Sequence, residues 1–393
     1  MIKIGILSLP LNWNYGGILQ QYALSEYLRK KNFTPILFSR RADRKSFFKL
    51  FLVKTKWNSI KILNNLNCLN FLPLIATESF KKKFLPNKTK DFFSSKEINF
   101  FIQKNEISHF IVGSDQIWNV DATVSLHDSF LGFVDKDKNN VLASYAASFA
   151  HDDWKYSVKQ TIDSKILLKN FSYISVRETH GVELIKKYLD NKSIRVLDPT
   201  FLLDASDYYK LLTNVKSNKK KIKTIFCYIL KNDIKIIKSI NKYAKQNNLK
   251  KISFCGLGNF FNLIKNVTGN YSVESWISSL KDSKLVITDS FHGMVFSIIF
   301  KKNFYVLLNQ NNGTSRIYSL LKDLGLESRI IKSIDDKLIA QNDINWNPVE
   351  IRLAKLKLES KVFLEKFFNK VLNKEADYNK KPFYSSVKVN RVT

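Results

Sequence analysis

The sequence predicts an α/β fold of two doubly wound, Rossmann-like domains, on three observations. Short apolar runs alternate with segments of helical periodicity along most of the chain. Polar residues recur at the ends of those runs, where open α/β sheets place their ligands. The break at Asp198-Pro199 divides the 393 residues into two stretches of the same alternation, each long enough for its own core.

Residues 3–9 (KIGILSL) read as a strand, followed by the loop LNWNYGG and a helix whose apolar face carries Ile18, Leu19, Tyr22, Ala23 and Tyr27. That loop lacks the three glycines of a dinucleotide fingerprint, so Gly16 and Gly17 mark a tight turn or a close approach rather than a cofactor site. A second strand, 34–40, precedes an insertion at 44–93 in which Phe, Leu, Ile and Trp alternate with Lys and Asn, as in basic amphipathic helices. The strand in 109–118 ends at Gly113, Ser114 and Asp115. A further strand and turn occupy 141–150, and the strand opening 173–189 ends at Arg177 and leads into a helix. Residues 196–209 form the crossing between domains.

In the second unit, strands are expected at 223–230, 284–287 and 304–308, with a strand and loop at 251–258. Helices are expected at 233–247, 273–283 and 315–324, the last closed by Gly325. The boundaries follow: an N-terminal domain at 1–195, a C-terminal domain at 196–348, an amphipathic helix at 349–373 and a mobile basic tail at 374–393. Between strand 284–287 and a helix continuing through Val295, Ile298 and Ile299 lies TDSFHGMVFSIIF, which sets Ser290, His292 and Gly293 at a helix N-terminus. The unpaired N–H groups and positive dipole end there favour a phosphate or carboxylate, and an imidazole adds a proton or a hydrogen bond. The plainer alternative is a satisfied turn histidine.

The formal charge of +30 ordinarily points to nucleic acid or anionic lipid. Here ten of the 64 basic residues are Arg, so the excess is largely a lysine bias on solvated faces, and no nucleic-acid partner is expected. The same scarcity makes Arg177 and Arg316 informative. Cys68, Cys227 and Cys255 are widely spaced in apolar context, which fits reduced, buried thiols in a cytoplasmic protein and no metal site. The N-terminus does not resemble a signal peptide, and no apolar run approaches the length of a bilayer span.

Taken in order, NYGGILQQYAL (14–24), FIVGSDQIWN (110–119), YAASFA (145–150), ISVRETHGVELI (174–185), VLDPTFLL (196–203) and ITDSFHGMVFSIIF (287–300) resemble the polysaccharide pyruvyl transferase family. The resemblance covers about residues 1–330. It implies a GT-B-like arrangement of the two domains and transfer of a pyruvate group from phosphoenolpyruvate to two hydroxyls of a cell-surface glycan sugar or its lipid-linked precursor. Phosphate is released, a carboxyethylidene ketal forms, and neither cofactor nor metal is required.

On that resemblance the donor site comprises Arg177, Ser290, His292, Gly293 and Arg316, with His292 contacting phosphate or acting as acid. The acceptor side comprises Asn14, Tyr15, Gly16 and Asp115, with Asp115 as base. Each has a plainer alternative: Arg177 in an interface salt bridge with Glu178 or Asp198, Arg316 as an exposed helix residue, Asp115 as a turn cap. Trp118 reads as core, His180 as a surface helix residue, and His109, His127 and His151 carry no role. A glycosyltransferase using a nucleotide sugar is the other reading. It calls for ribose-holding carboxylates in the second domain, where Glu274 is the one nearby candidate. The basic, apolar 44–93 segment is expected either to lie on an anionic membrane surface or to pack on the first domain as a helical layer.

Overall fold

The computed structural model describes residues 1–11, 14–42, 72–135, 140–212, 223–230, 233–255, 272–308, 314–334 and 343–380. The first domain begins with β1 (Lys3–Leu7), α1 (Tyr15–Lys30) and β2 (Thr34–Arg40), then α2 (Leu72–Phe84), β3 (Lys88–Phe92) and α3 (Ser95–Lys104). It continues through β4 (His109–Val112), β5 (Val141–Ala147), α4 (Val158–Leu168), β6 (Tyr173–Val176), α5 (Thr179–Leu184, extended by a π turn over Ile185–Leu189) and β7 (Ile194–Arg195). These seven strands form one sheet in the order β3-β2-β1-β4-β5-β6-β7, with every pairing parallel.

After a 3-10 turn at Pro199–Leu202, the second domain contains β8 (Thr224–Ile229), α6 (Ile234–Gln246), β9 (Lys250–Cys255), α7 (Val273–Asp282), β10 (Leu285–Thr288) and α8 (Phe291–Ile299). It ends with β11 (Asn303–Leu307), α9 (Thr314–Leu324) and β12 (Ile330–Ile331). Its five strands are also parallel, in the order β12-β11-β10-β8-β9. Each sheet reverses strand order once, between β1 and β4 in the first and between β8 and β10 in the second. Ligands of doubly wound folds bind outside the carboxyl ends of the strands at these switch points.

The central strands β4, β5 and β10 are buried along their whole length, as expected for parallel strands covered on both faces. One hydrophobic core runs continuously from α1 to α7, α8 and β10, so the domains share apolar packing. The ring of Tyr15 stacks on Trp276 at 5.8 Å and meets Tyr228 and Phe254 edge-on. Separate clusters cover the far face of each sheet.

Two expected boundaries change. Residues 72–92 of the expected insertion form α2 and β3, the edge strand beside β2, so this part belongs to the domain itself. Residues 43–71, which carry the remaining basic apolar segment, lie outside the described residues. The C-terminal helix α10 runs over Trp346–Lys380, longer at both ends than the expected 349–373. Its far end returns to the first domain, where Glu375 lies 2.8 Å from Nε2 of the buried His109, and Phe368 stacks on Phe33 at 4.9 Å. Residues 374–380 are therefore part of a docked helix rather than a tail, and 381–393 lie outside the described residues. Among the described residues no helix is long and apolar enough to cross a membrane, and no cluster of His, Cys, Asp or Glu has the spacing of a metal site.

Candidate active site

The site forms where the carboxyl ends of the two sheets face each other. Asp115 follows β4, Arg177 follows β6 directly, and His292 is the second residue of α8, just beyond β10. Asp115 holds a left-handed φ of 78° while its backbone carbonyl accepts from Ser148 N–H at 3.0 Å. Such a conformation is costly for a residue with a Cβ and persists where neighbouring structure enforces it, commonly at functional sites.

His292 is 6% exposed. Its ring occupies the space that a Cβ at position 16 would fill, which is why glycine stands at the second residue of α1. Gly16 is thus a point of close approach, as its sequence context allows, with an imidazole of the other domain as the neighbour. Gly17 lies beside it, where a Cβ would sit 3.6 Å from Asp115 Oδ2. Helix α1 therefore opens directly onto the two proposed acid-base residues.

Asp198 lies at the centre of the charged groups. Its Oδ1 accepts from the Thr200 N–H at 3.1 Å and the Thr200 hydroxyl at 2.7 Å. Its Oδ2 accepts from Arg177 Nη1 at 3.0 Å and from Gln20 Nε2, and lies 3.6 Å from His292 Nε2. Complete burial alone would raise this carboxyl, but His292, Arg177 and Thr200 outweigh burial and hold it well below the usual carboxylate range.

Arg177 Nη2 lies 3.7 Å from Asp115 Oδ1, so Asp115 and Asp198 share one guanidinium. Burial pushes the proton affinity of Arg177 down, and Asp198, Asp115 and Glu178 more than restore it. The guanidinium also lies over the Phe291 ring at 4.8 Å, and that of Arg316 lies over the same ring at 5.5 Å. With its amide oxygen turned toward Arg316, Gln116 accepts from both terminal nitrogens at 3.1 Å. Burial and the like charge of Arg177 push Arg316 down to about 10, which leaves it charged at neutral pH.

The cluster retains hydrogen-bonding capacity. Arg177 Nε and Nη2, Arg316 Nε and His292 Nε2 are buried without a hydrogen-bond acceptor, and Glu178 Oε2 and Gln20 Oε1 are buried without a donor. The other Glu178 oxygen accepts from Phe149 N–H at 2.9 Å. Buried polar groups left unpaired are destabilising, and several converging at one interdomain junction mark a place for a polar ligand.

Arg177, Arg316, Asp115 and His292 therefore converge, together with Gly16. The remaining expected contacts have other roles. Tyr15, expected on the acceptor side, is 4% exposed and packed in the interdomain aromatic cluster. Asn14 caps α1, its side chain accepting from Gly16 and Gly17 N–H at 3.0 and 3.4 Å. Ser290 caps α8, with Oγ 3.5 Å from Gly293 N, and a Cβ on Gly293 would run into the Thr288 hydroxyl. Both residues set the helix close to its strand, which spends the groups that were expected to cradle phosphate. Arg177 does form the interface pair with Asp198, yet its Nε has no acceptor and its Nη2 has only the 3.7 Å contact with Asp115. Trp118 is fully buried, as its context implies.

Sequence reading did not assign Asp198, Gln20, Glu178 or Phe291 to the site. Asp198 was visible only as a chain break and a partner for Arg177. Gln20 carried a partial signal as a polar residue among the apolar positions of α1, one shared with Gln21 and Ser25, and the structure buries all three.

Solved structures with the same architecture include UDP-GlcNAc 2-epimerases. The putative enzyme of Listeria monocytogenes aligns at a TM-score of 0.52 with 9% identity, over 91% of each chain. That of Neisseria meningitidis aligns at 0.50 with 11% identity, over 94% of this chain and 100% of that one. The enzyme of Rickettsia bellii aligns at 0.50 with 11% identity, over 97% and 99%. At such identities the likeness concerns the fold, and it places the two domains in the GT-B-like arrangement. No curated protein matches the chain in sequence. The sequence profile of the polysaccharide pyruvyl transferases matches residues 14–311, a span that holds Gly16, Asp115, Arg177, Asp198 and His292 and ends just before Arg316. With the match extending over well more than half of its length, the chain belongs to the polysaccharide pyruvyl transferase family.

Proposed function

We propose that this transferase moves the pyruvate group of phosphoenolpyruvate onto two hydroxyls of one sugar in a glycan or its lipid-linked precursor. The observation that carries this reading is the convergence of Arg177, Arg316 and His292 between the domains, with Arg177 Nε and Arg316 Nε buried without an acceptor and His292 Nε2 and Arg177 Nη2 beyond hydrogen-bond distance of their carboxylate neighbours. A donor bearing both a phosphate and a carboxylate matches two guanidiniums and an imidazole, since planar guanidinium pairs bidentately with either anion. The site is not simply cationic. Asp115, Asp198 and Glu178 lie among these cations, which suits a reaction that needs acid and base in one place.

Protonation of the donor methylene carbon by His292 makes C2 electrophilic, and the first sugar hydroxyl attacks C2 as Asp115 takes its proton. The tetrahedral intermediate then loses phosphate by cleavage of the C2–O bond. The second hydroxyl adds to the resulting oxocarbenium centre and gives up its proton, which leaves with phosphate. One methyl group, two new C–O bonds and one phosphate balance the reaction. Arg177 and Arg316 stabilise the charge on the departing phosphate in a desolvated site, where such interactions are strongest.

The test is incubation with phosphoenolpyruvate and candidate glycans. Expected is phosphate release equal to the amount of pyruvate ketal found on the glycan by mass spectrometry. Turnover of a nucleotide sugar, with no phosphoenolpyruvate consumed, would assign the site to glycosyl transfer instead.

A further inference from the structure

We infer that Asp198 is a positioning residue that fixes Arg177 and His292 relative to each other across the domain boundary. This deepens, and for its turnover measurement rests on, the phosphoenolpyruvate reading above. Three side chains converge on Asp198 Oδ2 from three elements: Gln20 from α1, Arg177 from the end of β6, and His292 from α8. The first two belong to the seven-stranded domain and the third to the five-stranded one. The other oxygen, Oδ1, is anchored by both the N–H and the hydroxyl of Thr200, two residues along the chain. The carboxylate is therefore fixed by its own turn and presents one oxygen to both domains.

Burying a lone carboxylate is costly, so its place here depends on these donors. In return it sets the separation between a cation of one domain and an imidazole of the other, to which a donor molecule must bind simultaneously. The position of Gly16 supports this role. The His292 ring is confined between the start of α1 and Asp198, so the carboxylate limits how far the imidazole can turn. Gln20 reaches the same oxygen and also lies 3.3 Å from the Ser114 hydroxyl, linking Asp198 to the turn that carries Asp115.

A positioning role predicts that the effect of Asp198 depends on the presence of His292. Asp198→Asn keeps the size of the side chain and removes the charge. In the full-length protein it should lower kcat by about 100-fold, within the range for residues that orient a catalytic group. In a His292→Gln background the same substitution should cost about 10-fold or less, because one of the two groups it orients is already gone. Equal losses in both backgrounds would overturn the proposal.

A second measurement needs no substrate. The ring nitrogen resonances of His292, assigned by comparison with His292→Gln in histidine-labelled protein, should shift in Asp198→Asn. Unmoved resonances in a folded variant would also overturn the proposal. Should Asp198→Asn fail to fold, Gln20→Met removes one donor to the same oxygen and should move the same resonances by a smaller amount. Failure of the wild type to consume phosphoenolpyruvate would refute the donor reading alone, since the resonance measurement still judges Asp198.

Discussion

The turn after β4 and the turn after β10 occupy corresponding places at the switch points of their sheets, yet they are held in different ways. The β10 turn is stabilised largely by its own side chains, with one bond to the neighbouring strand β8. Thr288 Oγ1 donates to Tyr228 O at 2.6 Å and accepts from Ser290 N–H at 3.0 Å, and Ser290 caps the helix that carries His292. The β4 turn holds Asp115 at positive φ and is fastened by neighbouring elements of the same domain, through Ser8 Oγ to Ser114 O at 2.7 Å and Ser114 Oγ to Ala146 O at 3.2 Å. One turn supplies a preorganised imidazole. The other supplies a carboxylate whose position depends on α1, β1 and β5. A site built from two such turns takes its imidazole from one domain and its carboxylate from the other, so its geometry depends on how the domains meet.

The largest effects are expected from removing the cation and the imidazole that meet between the two turns. Arg177→Lys and His292→Ala should each lower turnover by about two to four orders of magnitude in folded protein, the range for lost preorganised charge or proton transfer. Near-native turnover of folded His292→Ala would make the β10 turn structural. A smaller effect belongs to Asp115→Asn, which should reduce kcat by about 100-fold while changing donor affinity by less than about threefold. Comparable losses in kcat and in calorimetric donor affinity would move Asp115 from base to donor contact.

Gly16→Ala sharpens the point at which the domains touch. Its Cβ collides with the His292 ring, so the imidazole or α1 must shift, and turnover should fall about 10-fold or more. Unchanged kinetics would mean that the contact yields without consequence. Ser290→Ala should cost about 1 kcal/mol of stability, as for other helix N-caps, with kcat within about threefold of wild type. A large loss of donor affinity in that variant would return Ser290 to the binding site.

The smallest effect is on stability against pH. Burial lowers the proton affinity of His109, against the opposing pull of Glu375, so its contribution is present above the ordinary histidine range and is lost as pH falls through it. Asp198, held below its unfolded value, adds stability above the ordinary carboxylate range that is lost on further acidification. The thermal midpoint should therefore begin to fall below about pH 6.5 and fall more steeply below about pH 4. His109→Gln should remove the first phase alone, and a wild-type midpoint that is flat between pH 7 and 5 would contradict the assignment to His109.

Most of the fold was legible because long apolar runs and helical periodicity are local signals. The strand at 34–40 matches β2 at both ends, and 284–287 lies within one residue of β10. Strands β3, β7 and β12 were missed because they are polar or short edge strands whose pairing is decided by a neighbour rather than by their own pattern. The helix α4 was missed too, since Val158, Ile162 and Ile166 point outward and obscure its buried face. Motif residues at strand ends located Asp115, Arg177 and His292. Sequence did not separate residues that face the crevice from those that shape it, because capping by Asn14 and Ser290 and packing by Tyr15 depend on atoms brought together only by folding. Asp198 and Gln20 were hidden for the same reason, 178 positions apart along the chain and in direct contact in space.

On the proposed reading, the buried donors of Arg177, Arg316 and His292 form a site for phosphoenolpyruvate. Titration calorimetry of the full-length protein, with phosphoenolpyruvate in one series and UDP- and GDP-sugars in another, tests it most directly. Saturable binding of phosphoenolpyruvate is predicted, weakened at least about 10-fold by Arg177→Lys, with no saturable binding of the nucleotide sugars. Saturable binding of a nucleotide sugar, together with no binding of phosphoenolpyruvate, would contradict it.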